Sequence, residues 1–291
     1  MGSSAPRVLR RAAVGAALGA AVALAAATAP ALAQRARPVT LRIQPHVGDT
    51  LYTRFEQEVE ITGTTRVGEA DTTMRMTNSM LLLARVLVDG SDDGGTTVTT
   101  ITDSVTFTGG GISAGGAPDL VRQAVQGKKV QLHIAPDGSA TVLEAPREVA
   151  SDVQAVVSGV PSTLPGRAIQ VGGTWEKVMS IPVAGRESTF RPATLRARYR
   201  LDSLSADGTI AFISMRGTIT REASSELPRG MRIASTGTIV GSMQVDRKRG
   251  WWCDSRSTIA LTSEVTRPGE DRPPMHVVTR ISQRMRAGAH P

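Results

Sequence analysis

The side chains best placed to bind a cation lie in a short acidic segment with glycines. Asp89, Ser91 and Asp93 occupy alternate positions and Gly94 follows, as at the start of an EF-hand calcium loop. The twelfth position of such a loop requires a bidentate glutamate, but Thr100 stands there. Strand-like sequences, not helices, flank the segment. We therefore interpret it as an acidic hairpin turn and predict no metal site.

A glycine-rich run from Gly109 to Gly116 is the second candidate for chemistry. It follows a predicted strand and precedes a predicted helix, a context that suits phosphate binding at helix amides. The run lacks the Gly-Lys-Ser/Thr ending of a P-loop, and the surrounding pattern is antiparallel, not βαβ. We interpret it as a flexible loop.

Groups for catalysis do not form a recognisable motif. The histidines, His46, His133, His276 and His290, have no second histidine or cysteine at a metal-ligand spacing. Cys253, the only cysteine, is interpreted as an inert buried thiol, with an intermolecular disulfide as the alternative. Neither G-x-S-x-G nor H-E-x-x-H occurs. Two carboxylates brought together by folding could still do acid–base chemistry, but the sequence favours a non-enzymatic protein without cofactor or catalytic residues.

Two sets of side chains remain as candidate binding surfaces. Methionines on apolar strand faces suit an adaptable cavity, although ordinary core filling is the favoured interpretation. With one tryptophan they form the candidate ligand-binding set: Met74, Met76, Met80, Met231, Met243, Met275 and Trp252. Arginines on strand faces form a candidate basic surface for anionic headgroups or envelope polymer, with a solvated face as the alternative. This set is Arg196, Arg198, Arg200, Arg280 and Arg284.

The N-terminus bears on the cellular compartment. Residues 1–33 have the features of a signal peptide: three arginines precede an uncharged, alanine-rich run that ends in the cleavage site Ala31-Leu32-Ala33. An uncleaved membrane anchor and a twin-arginine signal are the alternatives. We predict an exported bacterial protein, periplasmic or extracellular, without a stable membrane span after cleavage.

Composition excludes several classes of protein. The 291 residues carry a net charge of +8, and loss of the leader removes three arginines and no acid, which leaves +5. This modest charge and the low aromatic content, 3% of residues, do not support nucleic-acid binding. A single cysteine excludes an internal disulfide, so the fold must be stabilised by burial of its sheets.

Period-two alternation after the leader predicts long antiparallel strands. From Leu51 to Ile61 the apolar residues share one parity and the charged residues the other. The apolar parity slips within Thr96–Thr108, between Val98 and Ile101, which predicts a β-bulge there. Turn signals occur at Pro136–Gly138, Asp207-Gly208 and Arg247–Gly250.

The predicted fold class is mainly β with minor α. We expect a large curved antiparallel sheet or half-barrel, with two short helices, Pro118–Gln126 and Arg147–Val157, packed against it. Val47–Leu51 and Val171–Trp175 both place a glycine turn before a strand, which leaves a true repeat of two similar halves open. The predicted organisation is a leader (1–33), an N-terminal β-rich half with both helices (34–157), a linker (158–170), a C-terminal β-meander (171–286) and a tail (287–291).

This pattern resembles two groups of proteins. Long antiparallel strands with two central helices are similar to the bacterial periplasmic lipoprotein-carrier superfamily, whose half-open sheet surrounds an apolar cavity for acyl chains. Gly48-Asp49-Thr50, Gly172–Trp175 and Gly250–Trp252 also resemble an uncharacterised family of secreted bacterial proteins of unknown function. The resemblance transfers no catalytic residue. It implies an envelope protein with an apolar or lipid-like ligand; the alternatives are a structural or interaction module with an envelope partner, and an enzyme of unrecognised type.

Overall fold

The computed structural model describes most of the chain after the predicted leader. The described residues are 38–67, 70–109, 122–123, 125–146, 163–181, 192–224, 232–266 and 274–289. The chain divides into two units, Met1–Pro38 and Val39–Pro291, and the account below concerns the second. The leader lies outside the described residues, so export stays a prediction. No helix in the described ranges has the length and apolar character needed to cross a membrane.

In the described residues, eleven strands form one curved antiparallel sheet, which confirms the predicted fold class. The strands are β1 Thr50–Val67, β2 Ala70–Asp92, β3 Gly95–Gly109, β4 Lys129–Ile134, β5 Ala140–Glu144, β6 Thr174–Ile181, β7 Ala193–Leu204, β8 Ile210–Ser224, β9 Arg232–Asp246, β10 Trp251–Thr266 and β11 Met275–Gly288. Their order in the sheet is β5-β4-β3-β2-β1-β11-β10-β9-β8-β7-β6. The first and last strands therefore pair at its centre, and the two parts of the chain share one sheet.

The two predicted helices fall largely outside the described residues. Arg122, Gln123 and Val125 have helical backbone, and the Gln126 N–H donates to the Arg122 carbonyl at 2.9 Å. The other residues of the first predicted helix and all of 147–157 are not described. Helices packed on the sheet therefore stay a prediction.

The predicted turns lie together at one end of the sheet, which we call the lower end. The β7–β8 turn is formed by Asp207-Gly208, where Asp207 Oδ1 accepts hydrogen bonds from Ser205 Oγ at 2.6 Å and from the Thr209 N–H at 3.1 Å. These bonds, led by the one from Ser205, lower the pKa of Asp207 to about 2. The β4–β5 and β9–β10 turns likewise fall at Pro136–Gly138 and Arg247–Gly250. The turn predictions are thus confirmed.

The apolar core is concentrated at the lower end. Alternate residues of each strand point to one face, and we call the face with the buried side chains the inner face. Its fully buried residues include Val98, Tyr199, Leu201, Ile213 and Val245. The opposite, outer face carries ion pairs. This division of apolar and charged faces is typical of antiparallel sheets.

Two non-strand segments fill the lower end of the inner face. Leu41 and Ile43 from the N-terminal segment and Leu164 from residues 163–170 are fully buried. A bridge joins the segments, because Val39 and Ile169 exchange backbone hydrogen bonds of 2.7 and 2.9 Å. Residues 163–170 belong to the predicted linker, yet they contribute to the core. The predicted domain boundaries stay a prediction.

The same contacts link the two edges of the sheet. The Leu164 N–H donates to the Asp137 carbonyl at 3.0 Å, in the turn that leads into edge strand β5. Trp175 Nε1, on edge strand β6, donates to the Thr163 carbonyl at 2.9 Å. Lys177 Nζ on β6 also lies 3.6 Å from Asp137 Oδ2. The inner segments therefore hold both edges near one another at the lower end.

The two similar glycine turns have the same hydrogen bonds. Gly48 (φ 89°) donates its N–H to the Val88 carbonyl at 2.9 Å, and Gly172 (φ 86°) donates to the Leu201 carbonyl at 2.6 Å. Each turn thus connects the start of a strand, β1 or β6, to the end of the next, β2 or β7. The match is local, and the question of a full repeat remains open.

Gly250 makes the closest approach between the N-terminal segment and the β9–β10 turn. It has φ 64°, and an added Cβ would collide with the Gln44 carbonyl, whereas Gly166 (φ 65°) has open space at that position. We expect Gly250→Ala to lower the free energy of unfolding by about 2–4 kcal/mol and Gly166→Ala by about 1 kcal/mol, since only the first adds a backbone clash to the φ strain. Denaturant unfolding measures both values, and equal losses would contradict the packing described here.

Candidate functional site

The inner face contains a row in which three neighbouring polar side chains interrupt the apolar ones. This central inner row runs across nine strands from β3 to β6 through directly paired residues. Its members are Phe107, Met80, Gln57, Gln283, Ser257, Gly241, Met215, Tyr199 and Trp175. Half-buried polar groups on a largely apolar face need hydrogen-bond partners. This row is therefore a candidate binding site.

Three side chains of this row form a hydrogen-bonded chain that we call the amide ladder. Ser257 Oγ donates to Gln283 Oε1 at 3.2 Å, and Gln283 Nε2 donates to Gln57 Oε1 at 3.2 Å. All three residues are half-buried. Within the described part of the chain, no acceptor is bonded to the Gln57 amide nitrogen, which has two N–H groups. The ladder therefore ends, on the β2 side, in a donor that a bound oxygen could accept.

Tyr199 lies in the same inner-face row, on β7, towards the other edge of the sheet. Its ring is fully buried and stacks on Trp175, with the ring centroids 5.5 Å apart. Burial raises the pKa of Tyr199 to about 12, so the phenol is neutral at ordinary pH. No described residue forms a hydrogen bond with its hydroxyl. Tyr199 is thus a packing residue with an unused hydroxyl, unsuited to acid–base chemistry near neutral pH.

Above the amide ladder the inner face of β1, β2 and β11 is open. This surface also carries the polar Asn78 and Thr279. We call it the open inner face; its apolar members are Val59, Ile61, Met74, Met76, Met275, Val277 and Ile281. Met74 is 66% exposed and Met275 37%, and the other five are half-buried. In the same rows Leu195 on β7, Ile219 on β8 and Ile239 on β9 are buried. The inner face is therefore packed on one side and accessible on the other.

The predicted ligand-binding set separates into two groups in the structure. Met74, Met76 and Met80 lie on the inner face of β2, with Asn78 between Met76 and Met80, and Met275 lies on β11, beyond β1. Met243 is buried in the core. Trp252 is half-buried against the core and meets Trp251 edge to face, with centroids 5.1 Å apart. Met231 lies outside the described residues.

The sequence prediction missed the glutamines of the amide ladder. Gln57 occupies the apolar parity of β1, between Phe55 and Val59, and Gln283 does the same on β11 between Ile281 and Met285. A polar amide that interrupts an apolar row is a readable signal. Only the pairing of β1 with β11 shows that the two interruptions coincide.

The predicted basic surface, like the ligand-binding set, separates into two groups in the structure. Arg196, Arg198 and Arg200 share the outer face of β7, and Arg198 lies directly opposite Arg216 on β8. Arg280 and Arg284 lie on β11. This strand is four strand spacings from β7, or about 19 Å along the sheet.

The local charges of the two arginine groups also differ. Arg284 Nη2 bonds Asp254 Oδ2 at 2.9 Å, and Arg280 faces Glu60 across β1. On β7, Arg198 bonds Glu176 at 2.6 Å, while Arg196 has no ion-pair partner among the described residues. Arg196 thus differs from Arg284 and Arg198 in having no carboxylate partner, although arginines also lie opposite each other at Arg54–Arg286 and Arg256–Arg284.

The acidic segment forms the predicted hairpin turn. Asp92 Oδ1 accepts the N–H groups of Gly94 and Gly95 at 2.7 and 3.0 Å, and Asp89 Oδ2 accepts the Thr99 hydroxyl at 2.6 Å. Across the described ranges no three histidine, cysteine or acidic side chains are grouped to hold a metal. Residues 110–116 of the glycine run lie outside the description. The carboxylates of the turn are thus used to hold its backbone.

Cys253 is half-buried in β10 and fits the expected unreactive thiol. Its Sγ lies 3.5 Å from the Gln244 carbonyl, to which it donates. Burial, assisted by the nearby Asp246 carboxylate, raises the pKa of the thiol. A raised pKa lowers the fraction of reactive thiolate at neutral pH.

Comparisons with known proteins give a partial family match and distant solved structures, of which three are described below. A model of a family of unknown function, DUF6263, matches residues 154–252, less than half of the chain. No curated protein matches the sequence. The family match is consistent with an uncharacterised domain that spans the predicted linker and much of the C-terminal half.

The three solved structures share little sequence with the chain. DynF from the dynemicin pathway of Micromonospora chersina is 8% identical, with 86% of each chain covered and a TM-score of 0.23. The outer membrane protein OprG from Pseudomonas aeruginosa is 6% identical, with 84% and 99% covered and a TM-score of 0.22. The translocator domain of the autotransporter NalP from Neisseria meningitidis is 10% identical, with 91% and 97% covered and a TM-score of 0.18. These scores are too low to carry any property over.

Replacing Tyr199 by phenylalanine tests the unused hydroxyl. A buried hydroxyl without a partner costs about 1–3 kcal/mol, so Tyr199→Phe should be at least as stable as the parent at pH 7. The folded pKa of about 12 exceeds the unfolded value of about 10, so the parent alone should lose stability from this group as pH rises from 10 to 12. Denaturant unfolding from pH 7 to 12 measures both effects. A loss of more than about 1 kcal/mol at pH 7 would show that the hydroxyl has a partner.

Proposed function

We propose that this protein is an exported envelope protein that binds an amphiphilic, lipid-like molecule on the open inner face, without catalysis. The observation that carries the proposal is the accessibility of the apolar side chains above the amide ladder. Met74 and Met275 are exposed on the inner face, although the part of that face on β7, β8 and β9 is a buried core. Contiguous exposed apolar surface is typical of a binding surface.

The amide ladder gives the ligand a polar end. A purely apolar ligand would cover the Gln57 amide without a hydrogen bond, and burial of an unpaired amide costs free energy. An amphiphile with a carbonyl, carboxylate or hydroxyl oxygen satisfies this donor. The six residue steps from Gln57 to Gly63 on β1 span about 20 Å of strand above it. An extended acyl chain fits such a strip better than a compact ring system does.

Two further features suit this role. The alanine-rich leader with its Ala31-Leu32-Ala33 site supports export to the periplasm or the extracellular space, where lipid-like molecules meet the cell envelope. The methionines of the open inner face have flexible, polarisable side chains that adapt to ligands of different shape. The resemblance to lipoprotein carriers implies the same class of ligand.

Paired substitutions on the two faces of the same strands test the proposal. We expect Ile61→Gln with Met76→Gln to weaken binding of a fluorescent fatty acid at least about tenfold, a loss of ~1.4 kcal/mol, because both side chains line the proposed site. Thr62→Gln with Thr77→Gln, one residue further on the outer face, should change binding less than about twofold. Fluorescence titration of delipidated protein gives the dissociation constants.

Two results would contradict a ligand on the open inner face. One is probe binding that the two double variants weaken equally. The other is the absence of probe binding to delipidated protein whose unfolding transition is that of the folded parent. The outer-face variant carries the same number of new amides, so it controls for the addition of polar amides to these two strands.

A second candidate function is contact of the β7–β8 outer face with an anionic lipid surface. Its support is the direct pairing of Arg198 with Arg216, because like charges placed opposite each other destabilise a sheet unless something else compensates them. Glu176 compensates Arg198, whereas Arg216 and the neighbouring Arg196 have no ion-pair partner in the described ranges. A negative surface would bind these two guanidinium groups.

Charge removal distinguishes this face from the β11 arginines. Arg196→Gln with Arg216→Gln should abolish most sedimentation with phosphatidylglycerol vesicles, because each basic residue contributes about 1 kcal/mol at such a surface. Arg280→Gln with Arg286→Gln removes the same charge from β11 and should retain binding. Equal losses would show that net charge, not the β7–β8 face, determines binding.

A further inference from the structure

A pocket lies at the lower end of the sheet, away from the open inner face. It has a volume of about 460 Å³, and its lining includes Arg42, Gln44, His46, Ser91, Arg247 and Gly250. Three parts of the chain meet there: the N-terminal segment, the end of β2 and the β9–β10 turn. The lining contains two arginines and a histidine but no carboxylate.

The backbone on either side holds Arg42 in place. Leu41 and Ile43, its neighbours, are buried in the core, so alternation directs Arg42 away from it. The Ile43 N–H donates to the Pro136 carbonyl and the Gln44 N–H to the Gly250 carbonyl, both at 2.9 Å. Arg42 itself is exposed and has no ion-pair partner within the described residues. A fixed backbone thus presents an unneutralised guanidinium.

Arg247 approaches the pocket from the β9–β10 turn. Its Nη1 donates to the Gly208 carbonyl at 2.6 Å and its backbone N–H to the Thr209 carbonyl at 2.8 Å, so two bonds orient it. A guanidinium has five N–H donors, and the other four remain for a ligand. Lys248 and Arg249 follow in the same turn and add positive charge.

The nearest acids are already engaged. Asp246 Oδ1 accepts the N–H groups of Lys248 and Arg249 at 2.9 Å, and its Oδ2 lies 3.9 Å from Arg249 Nε. Asp49 lies 3.6 Å from His46 Nδ1. Asp92, next to Ser91, binds backbone amides of its own turn. The charges of Arg42 and Arg247 are therefore left without a carboxylate in the pocket.

We infer that this pocket binds a small molecule with at least two anionic groups, phosphate or carboxylate. Arginine guanidinium groups bind both groups through paired hydrogen bonds. The volume is typical of a small-molecule site and larger than one phosphate needs. Gln44 and Ser91 supply further polar groups in the lining. This inference does not depend on the lipid-like ligand of the open inner face.

Titration calorimetry with inorganic pyrophosphate and with citrate tests the inference. We expect saturable binding of at least one of them, weakened at least about tenfold by Arg42→Gln and by Arg247→Gln. Arg280→Gln removes the same charge from β11 and should change binding less than about twofold. Thermal unfolding of each variant shows that the exposed substitutions leave the fold intact.

A vesicle measurement distinguishes a soluble anion from a lipid headgroup. If the anion is soluble, pyrophosphate or citrate binds with the stated dependence on Arg42 and Arg247. If the headgroup is the source, phosphatidylglycerol vesicles bind with that same dependence and Arg280→Gln is without effect. Either result supports the inference. Failure of both arms, or an equal effect of Arg280→Gln, overturns it.

Discussion

Closure of the lower end by two chain segments is the constraint on which the rest of the structure depends. An antiparallel sheet of eleven strands has two edges and a large inner face. The unpaired backbone groups of the edges and the apolar side chains of the inner face are not stable in water unless other groups cover them. Leu41, Ile43 and Leu164 cover that face where the turns converge. The same segments hydrogen-bond to the β4–β5 turn and to β6, so both edges are fixed by the groups that form the core.

The unequal burial along the strands follows from this arrangement. The covering segments reach the lower end only, and the packed region extends upward on β7, β8 and β9, where Leu195, Ile219 and Ile239 remain buried. On β1, β2 and β11 the apolar rows continue beyond the amide ladder into an accessible surface. A single sheet thus provides a buried core and an accessible, largely apolar surface, and the glutamines mark the boundary between them.

Sequence reasoning predicted the strands and turns well, because alternation and turn residues are local signals. It placed the β3 parity slip between Val98 and Ile101, whereas the extra residue is Asp103, since only pairing with β2 determines where a bulge lies. It grouped Arg280 and Arg284 with the β7 arginines, although their strands are far apart in the sheet. The amide ladder and the lower pocket join residues distant in sequence, so no local pattern could reveal them.

The central claim is that the inner face is packed at the lower end and accessible above the amide ladder. Peroxide oxidation of the methionines, followed residue by residue by peptide mass spectrometry, tests it most directly because the reaction depends on solvent access. The account predicts rapid oxidation of Met74 and Met275 and slow oxidation of the buried Met243 in ligand-free protein. Oxidation of Met74 and Met275 as slow as that of Met243 would show that the upper inner face is covered, and would contradict the account.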